Sequence, residues 1–203
     1  MRQSVRSGLA GVSLDGGTFT PSEAQSHGIS TRTLYRMLQS GKVTRLSRGV
    51  YQMADAPDAG STDYAVIAKR VPNGVVCLLS ALYHHELTTE IPHKIYLAVT
   101  RDARVPRLDY PPVRVFRMSS ASFTPGIEKR AIGGIETRIY SPEKTIADCF
   151  KFRNSIGLDV AVEALKNYMT RRGRNPDRVL EMAKVCRVEK VMRPYLNAII
   201  ETT

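Results

Sequence analysis

The hydrophobic and polar positions between Thr18 and Met53 follow a helical period first and a strand-like period afterwards. Two short helices are predicted, Pro21–Ser26 and Thr31–Gln39, with a turn between them at Gly28. In the second helix the apolar residues share one side, while basic and polar residues recur on the other side at i, i+3, i+4 and i+7. The pattern therefore predicts a helix-turn-helix whose outer face is rich in arginine.

Both helices carry terminal signals that support these bounds. Thr20 precedes Pro21, and Glu23 occupies the third helical position, an arrangement that predicts a capping box. Ser30 is predicted to cap the second helix, and Gly41 is predicted to end it. Hydroxyl side chains thus specify the start of each helix, in agreement with the hydrophobic periodicity.

Residues 44–46 and Val50–Met53 are short β-prone runs on either side of the turn residues Ser47, Arg48 and Gly49. They predict a hairpin directly after the second helix, which makes the motif a winged one. An ordinary pair of helices with solvated arginines is the alternative interpretation. Pattern, charge and hairpin agree with one another, and together they favour DNA binding over that alternative.

Entry of the second helix into the major groove of DNA would give its side chains distinct roles. Arg32 and Arg36 are predicted to read guanine edges, and Gln39 is predicted to read adenine. The threonines and the cations around the hairpin are predicted to hold phosphates, and Arg45 and Arg48 can also reach a minor groove. The predicted DNA-binding residues are Ser30, Thr31, Arg32, Thr33, Tyr35, Arg36, Gln39, Lys42, Arg45 and Arg48.

A short segment that contains Pro and Gly, residues 55–61, is predicted to link two domains. The first domain, residues 1–55, is predicted to start with a helix over residues 4–14 and to end with the winged motif. The second domain, residues 62–203, is predicted to open with a helix over residues 62–71. The fold class predicted for the whole chain is therefore α+β.

The second domain is predicted to contain a small, mostly antiparallel sheet followed by a helical bundle. Ser61 is predicted to cap its first helix, and Ser80 is predicted to cap a short helix that runs to Glu86. The predicted strands are 75–79, 94–100, Val113–Met118, Ile127–Ile132 and Ile135–Tyr140. The predicted helices of the bundle are 142–152, 159–172, 175–185 and 189–200.

Residues 101–112 are rich in arginine and proline, which predicts a long exposed loop between two strands. Arg101, Arg104 and Arg107 allow a second contact with DNA or RNA. A solvated connection is the other interpretation, and it is preferred because Asp102 and Asp109 offset part of the charge.

The net charge of +11 at pH 7 is spread over both predicted domains. A basic surface attracts nucleic acid, anionic lipid or an acidic protein, and the winged motif favours DNA among these. No apolar run is long enough to span a bilayer and no secretory signal is recognised, so the cytoplasm is the predicted compartment. Cys77, Cys149 and Cys186 are far apart, and they are predicted to be small buried hydrophobes.

Two stretches resemble a known family. GISTRTLYR at residues 28–36 and LSRGVY at residues 46–51 resemble the N-terminal winged domain of AbiEi-type antitoxins, which regulate bacterial abortive-infection (type IV) toxin–antitoxin operons. SPEKTIAD at residues 141–148 is similar to a stretch at the start of that family's C-terminal helices, with Lys144 where arginine is commoner. With both stretches in order, the resemblance covers nearly the whole chain.

The resemblance implies a DNA-binding repressor of its own operon that also counters a toxin resembling a nucleotidyltransferase. It further implies that the C-terminal domain carries the antitoxin activity. The partner DNA is predicted to be the protein's own promoter, with repeated half-sites bound by two copies. No membrane partner, cofactor or metal is predicted, and direct contact with the toxin is left open.

Residues that could support catalysis do not form a recognisable motif. His84, His85 and His93 lie near two glutamates but lack the H-E-x-x-H spacing that places two imidazoles on one helical face. Glu143 and Asp148 do not share a helical face well, and Glu143 is explained as a complement to a helix dipole. The chain is therefore predicted not to be an enzyme.

Two other functions remain open from the sequence. A stand-alone transcriptional regulator, whose second domain senses a ligand or a partner, is the main alternative to the antitoxin. A nuclease or nucleotide-processing enzyme with a winged targeting domain is the other, and it would require activity that depends on His85, His93 or Asp148.

Overall fold

The computed structural model describes residues 17–56, 62–132 and 134–201. Contacts group the chain into two compact units. Unit 1 consists of residues 1–73, 105–112 and 130–137, and unit 2 consists of residues 74–104, 113–129 and 138–203. The helix predicted over residues 4–14, the predicted cap Ser61, most of the predicted linker and Gly133 lie outside the described residues.

Unit 1 begins with a helix pair and a three-stranded sheet. The helices are α1 (Pro21–Ser26) and α2 (Thr31–Gln39), and both have the predicted bounds. The strands are β1 (Thr18–Phe19), β2 (Val43–Ser47) and β3 (Val50–Met53), which lie in the order β1-β3-β2 with antiparallel pairing throughout. The predicted hairpin is therefore present, and β1 extends it into a sheet.

A small apolar core holds the helix pair against this sheet. The rings of Phe19 and Tyr51 stack at a centroid distance of 6.1 Å. Gly28 has a φ of +79°, a left-handed conformation that favours glycine, and the tight turn which it forms lets the two helices pack on one core. The buried apolar residues of this core are Phe19, Ala24, Ile29, Leu34, Met37, Val43 and Tyr51.

Helix α3 (Thr62–Arg70) packs against all three strands of this sheet and buries Ala65, Val66 and Ile67. The structure accordingly groups it with unit 1, whereas the sequence pattern placed it at the start of the second domain. The reason is physical: an apolar face predicts that a helix is buried, but it does not identify the surface against which the helix packs.

Five further strands form one sheet. They are β4 (Val75–Val76), β5 (Ile95–Thr100), β6 (Val113–Met118), β7 (Ile127–Ile132) and β8 (Ile135–Tyr140), in the order β6-β5-β4-β8-β7. β4 pairs antiparallel with β5, but β5 and β6 are parallel, and so are β4 and β8. The prediction of a mostly antiparallel sheet is thus wrong, and the sheet is mixed. Long connections between strands permit a parallel return, and strand patterns do not reveal which neighbour is chosen.

The predicted strand 75–79 is also wrong in its second half. The strand ends at Val76, and a buried helix, α4 (Leu78–His84), begins two residues later. Ser80 does not cap a helix, because it lies inside α4, where its hydroxyl accepts a hydrogen bond from the Tyr96 N–H at 3.0 Å. A continuous apolar run is compatible with either a buried strand or a buried helix.

The remaining helices enclose the main apolar core of unit 2. Cys77, Cys149 and Cys186 are unpaired and buried in this core, as predicted. In the part of the chain that is described, no helix is long and apolar enough to cross a bilayer. The helices that enclose the core of unit 2 are α5 (Ser120–Phe123), α6 (Pro142–Lys151), α7 (Arg153–Ile156), α8 (Leu158–Met169), α9 (Pro176–Cys186) and α10 (Glu189–Glu201).

Candidate nucleic-acid interface

Helix α2 separates its apolar and polar residues cleanly. Leu34 and Met37 are buried in the core of unit 1. The opposite side, called here the α2 outer face, consists of Arg32, Tyr35, Arg36 and Gln39, all of them exposed. Tyr35 is 57% exposed, a large value for an aromatic residue in the middle of a helix. The face therefore presents two guanidinium groups, a phenol and an amide to solvent.

The start of α2 is built by hydrogen bonds of its capping residue. The Ser30 hydroxyl accepts from the Thr33 N–H at 3.2 Å, and the two hydroxyls lie 3.0 Å apart. The N–H groups of Thr31 and Arg32, two exposed residues, have no carbonyl partner within the helix. Backbone donors and hydroxyls at such a helix start suit contact with a phosphate oxygen.

The hairpin continues the basic surface beyond the end of α2. Lys42, Arg45 and Arg48 are exposed along β2 and its turn. The Arg45 Nε donates to the Ser47 carbonyl at 3.4 Å, and Gly49 completes the turn with a φ of +78°. Within the described ranges, none of these three cations forms an ion pair with a carboxylate.

All ten predicted DNA-binding residues therefore lie in α2, at its N-cap or along the β2–β3 hairpin of unit 1. Nine of them are exposed, and Thr33 is partly buried. The structure places them on the elements on which they were predicted. Their contact with DNA stays a prediction.

Helix α1 is fixed by the predicted capping box, which is confirmed. The Thr20 hydroxyl accepts from the Glu23 N–H, and the Glu23 carboxylate accepts from the Thr20 N–H at 2.7 Å. Glu23 also pairs with Lys69 of α3 at 2.5 Å. Partial burial by itself would raise the pKa of Glu23, but the hydrogen bonds from Lys69 and Thr20 outweigh that effect and lower the pKa below its ordinary value.

Arg70, at the end of α3, supports the hairpin turn and was not identified from the sequence. Its Nη1 donates to the main-chain carbonyl of Arg48. A Cβ built on Gly49 would lie 3.5 Å from the same nitrogen, so the guanidinium packs directly on the turn. The sequence offers no signal for this contact, because the two residues are far apart in the chain and belong to separately predicted domains.

In the histidine and carboxylate cluster considered for catalysis, His84 and His85 make contacts that support the fold. His85 Nε2 lies 2.7 Å from the main-chain oxygen of Tyr140, and the rings of His84 and His85 meet edge-on at 5.2 Å. Among the described residues, no group of three or more His, Cys, Asp or Glu side chains could hold a metal ion.

The stretch at residues 141–148 forms the start of α6, and two of its three charged residues, Lys144 and Asp148, are buried. Lys144 Nζ lies 2.5 Å from Asp148 Oδ2, and both side chains are 0% exposed. The ammonium also lies 4.0 Å from the centroid of the Tyr140 ring. Ser141 caps α6 as predicted, and Glu143 accepts a hydrogen bond from the Tyr168 hydroxyl at 2.6 Å.

Asp148 is the most enclosed acid of unit 2. Burial raises the pKa of its carboxyl, against the lowering effect of the Lys144 ammonium and the Cys186 thiol. The Cys186 Sγ lies 3.2 Å from Asp148 Oδ1, and burial raises the pKa of that thiol to about 12, so it is a protonated donor at neutral pH. These groups satisfy one another inside the core, where an approaching substrate would find no exposed atom of the pair.

The N-terminal segment of the chain matches a known family. Residues 12–54 match the model of a family described as "Transcriptional regulator, AbiEi antitoxin". The match spans α1, α2 and the hairpin, and it confirms the resemblance predicted for that part of the chain. The similarity predicted for residues 141–148 lies outside the match and stays a prediction.

A crystal structure of the RV2827C protein from Mycobacterium tuberculosis has a similar fold, with a TM-score of 0.57 and 16% sequence identity. The similarity covers 95% of this chain and 79% of that one. At this identity the likeness concerns the fold alone. No curated protein sequence matches the chain significantly.

Proposed function

We propose that the protein is a sequence-specific DNA-binding repressor that acts as the antitoxin of a type IV toxin–antitoxin system and regulates its own operon. The observation that carries the proposal is the α2 outer face. It exposes Arg32, Arg36 and Gln39 on a helix inside the segment that matches the AbiEi regulator family. Those side chains suit the hydrogen-bonding edges of guanine and adenine.

In the proposed mode of binding, residues 17–56 act as a winged helix-turn-helix. Helix α2 enters the major groove, and the β2–β3 hairpin is the wing. Lys42, Arg45 and Arg48 hold phosphates or reach a minor groove, together with hydroxyls at the start of α2. Two copies bind repeated half-sites, since a single small module buries too little surface for tight specific binding.

The rest of the proposal rests on what the resemblance to that family implies. The protein acts in the cytoplasm, where its promoter lies, and it counters a toxin that resembles a nucleotidyltransferase and is encoded beside it. No catalytic step is assigned to the chain. The proposal gives unit 2 the antitoxin activity, for which its net basic character permits a nucleic-acid or a protein partner.

The test measures binding of the protein to the DNA immediately upstream of the gene. The protein is titrated into this DNA at several salt concentrations, with random-sequence DNA as competitor. Tight binding to one upstream site that resists the competitor is expected. Equal binding to both DNAs that disappears as salt rises would mean that only the basic surface acts, and the repressor proposal would be abandoned.

One observation favours a second candidate. The family match ends at residue 54, so unit 2 lies outside it. A stand-alone regulator whose second unit senses a ligand or partner is compatible with that limit. Two observations distinguish the candidates. An antitoxin has a neighbouring toxin gene, and co-expression of the intact chain restores the growth of cells that express that toxin.

A further inference from the structure

Residues 105–112 belong to unit 1 although the chain on either side of them belongs to unit 2. The side chains that link this segment to helix α3 lie near both ends of that helix. An interaction with the Asp63 carboxylate, in the first turn of α3, raises the pKa of Tyr110. Nη2 of Arg70, in the last turn, donates to the main-chain carbonyl of Arg107 at 3.5 Å. The segment thus interacts with helix α3 near both of its ends.

The guanidinium that holds Arg107 also holds the hairpin turn. Nη1 of Arg70 donates to the Arg48 carbonyl, while Nη2 donates to the Arg107 carbonyl. A planar guanidinium presents its donors in a rigid fork and can serve two separated acceptors at once, whereas an ammonium is a compact point charge. The main chains of Arg48 and Arg107 therefore lie within the span of one side chain.

Helix α3 is itself fixed in unit 1, so this arrangement does not depend on a free loop. Its apolar residues Ala65, Val66 and Ile67 are buried, and it packs on the three-stranded sheet. Lys69, the residue before Arg70, pairs with Glu23 of the α1 capping box at 2.5 Å. Helix α3 thus contacts α1, the hairpin turn and residues 105–112.

The result is a concentration of positive charge beside the hairpin turn. The side chains of Arg48 and Arg107 are exposed. Arg70 uses both terminal nitrogens on neutral carbonyls, and in the part of the chain that is described no carboxylate pairs with any of these three arginines. Asp63, at the other end of α3, interacts with Tyr110 and raises its pKa. Clustered guanidinium groups without acidic partners favour a polyanion such as the DNA backbone.

We propose that Arg107 is a further contact to the DNA backbone, held beside the hairpin turn by Arg70. A segment outside the residues of the family match thereby enlarges the phosphate-binding surface of the wing. Arg107 supplies the charge, and Arg70 is a positioning residue. The inference rests on the proposed function, because the ligand is the same DNA duplex.

The experiment uses the full chain and fluorescence anisotropy, with a duplex from immediately upstream of the gene and a random-sequence duplex of equal length. Arg107→Gln is expected to weaken binding to both duplexes alike, by about 3–10-fold at ~0.1 M salt, and to lower the salt-dependence slope by about 1. Arg104→Gln is the matched control, because it removes the same charge from an exposed arginine of the same connection. It is expected to weaken binding less than Arg107→Gln does, because Arg70 holds the main chain of Arg107 beside the hairpin turn.

The positioning role is tested by Arg70→Lys, which keeps the charge but cannot span both carbonyls. It is expected to reproduce most of the loss caused by Arg107→Gln. In the double variant the two losses are expected not to add, since both remove the same contact. Unfolding midpoints of all variants show whether the fold is retained, and fully additive losses would overturn the positioning role.

Equal affinities of Arg107→Gln and Arg104→Gln would overturn the backbone contact, and a continued preference for the upstream duplex would leave the proposed function standing. The converse is also distinguishable. If the protein bound both duplexes equally but lost affinity only with Arg107→Gln, the contact would stand and the repressor proposal would fail. Absence of binding to either duplex would overturn both.

Discussion

Helices α2 and α6 each place two charged residues one turn apart, and the two pairs have opposite surroundings. Arg32 and Arg36 of α2 are exposed. Lys144 and Asp148 of α6 are 0% exposed and lie 2.5 Å apart. Helix α2 lies inside the family match, whereas the similarity of the α6 stretch to that family stays a prediction.

The difference shows how burial decides what a charged residue does. An exposed guanidinium costs the fold little, and it remains available to a ligand. A buried ammonium and carboxylate have lost their hydration, so each depends on the other and on neighbours such as Cys186. Substitutions in α2 should therefore impair binding, and substitutions in α6 should impair folding.

The largest effect is expected for Asp148→Ala. The change leaves the Lys144 ammonium buried without its partner, which should lower the free energy of unfolding by about 3–5 kcal/mol. Urea denaturation followed by circular dichroism measures it. Because typical domains are stable by roughly 5–15 kcal/mol, a partly unfolded population at 25 °C is an expected outcome.

The double variant Lys144→Met/Asp148→Leu is the control for this prediction. It removes both charges and fills similar volume, so it should be far more stable than Asp148→Ala. A single variant as stable as the wild type would show that the pair is not needed for folding, and the contrast between α2 and α6 would be lost.

A smaller effect, in binding rather than stability, is expected for Arg36→Ala. Loss of a guanine contact should cost about 1–3 kcal/mol of binding to the upstream duplex and reduce the preference over random DNA. The free energy of unfolding should change by no more than about 0.5 kcal/mol, as for other exposed positions. Competition anisotropy and urea denaturation of the same preparation give the two values.

Lys42→Ala provides the matched comparison, since Lys42 is also an exposed cation of unit 1. If Lys42 contacts a phosphate, Lys42→Ala should weaken binding to specific and random duplexes by the same factor. Unchanged operator affinity of Arg36→Ala would mean that the α2 outer face does not meet DNA.

Local signals in the sequence predicted the helix pair and the hairpin well. The bounds of α1 and α2, the capping residues Thr20 and Ser30, and the turn at Gly28 all follow from side chains that act within a few residues of one another. Such contacts depend on spacing along the chain, which the sequence displays directly.

Contacts between distant residues could not be predicted in this way. The burial of Lys144 depends on elements that cover α6, and lysine is ordinarily exposed. The support that Arg70 gives to Arg48 joins α3 to a turn beyond a predicted linker, and the parallel pairing of β5 with β6 depends on how a long connection returns. In each case the deciding partner lies far along the chain.

A substitution of Glu23 is expected to have an intermediate effect on stability, because this residue is charged, partly exposed and paired. Its pKa is lowered in the folded state, so its contribution to stability is fully present above its ordinary pKa of 4.5 and is lost as the pH falls through the folded value. Glu23→Gln should therefore destabilise the protein at pH 7 and flatten the acid side of the stability profile below pH 4.5.

Urea denaturation at several pH values measures this profile. Lys69→Met is the companion variant, since it removes the ion pair but keeps the capping box, and it should flatten the acid side only in part. An acid profile of Glu23→Gln identical to that of the wild type would mean that the pair with Lys69 contributes nothing to stability, as many surface pairs do.

The smallest effect concerns the attachment of residues 105–112 to α3. The hydrogen bond to Asp63, with some burial, raises the pKa of Tyr110, so the stabilisation is present below the ordinary tyrosine value and is lost as the pH rises through the folded value. Asp63→Ala should return the pKa of Tyr110 towards that ordinary value, and Asp63→Asn, which keeps an acceptor without the charge, should return it less. Phenolate absorbance across an alkaline titration, with Tyr110→Phe subtracted, reports the change. If Asp63→Ala left the titration unaltered, the segment would not be held at this point, and Arg70 alone would have to position Arg107.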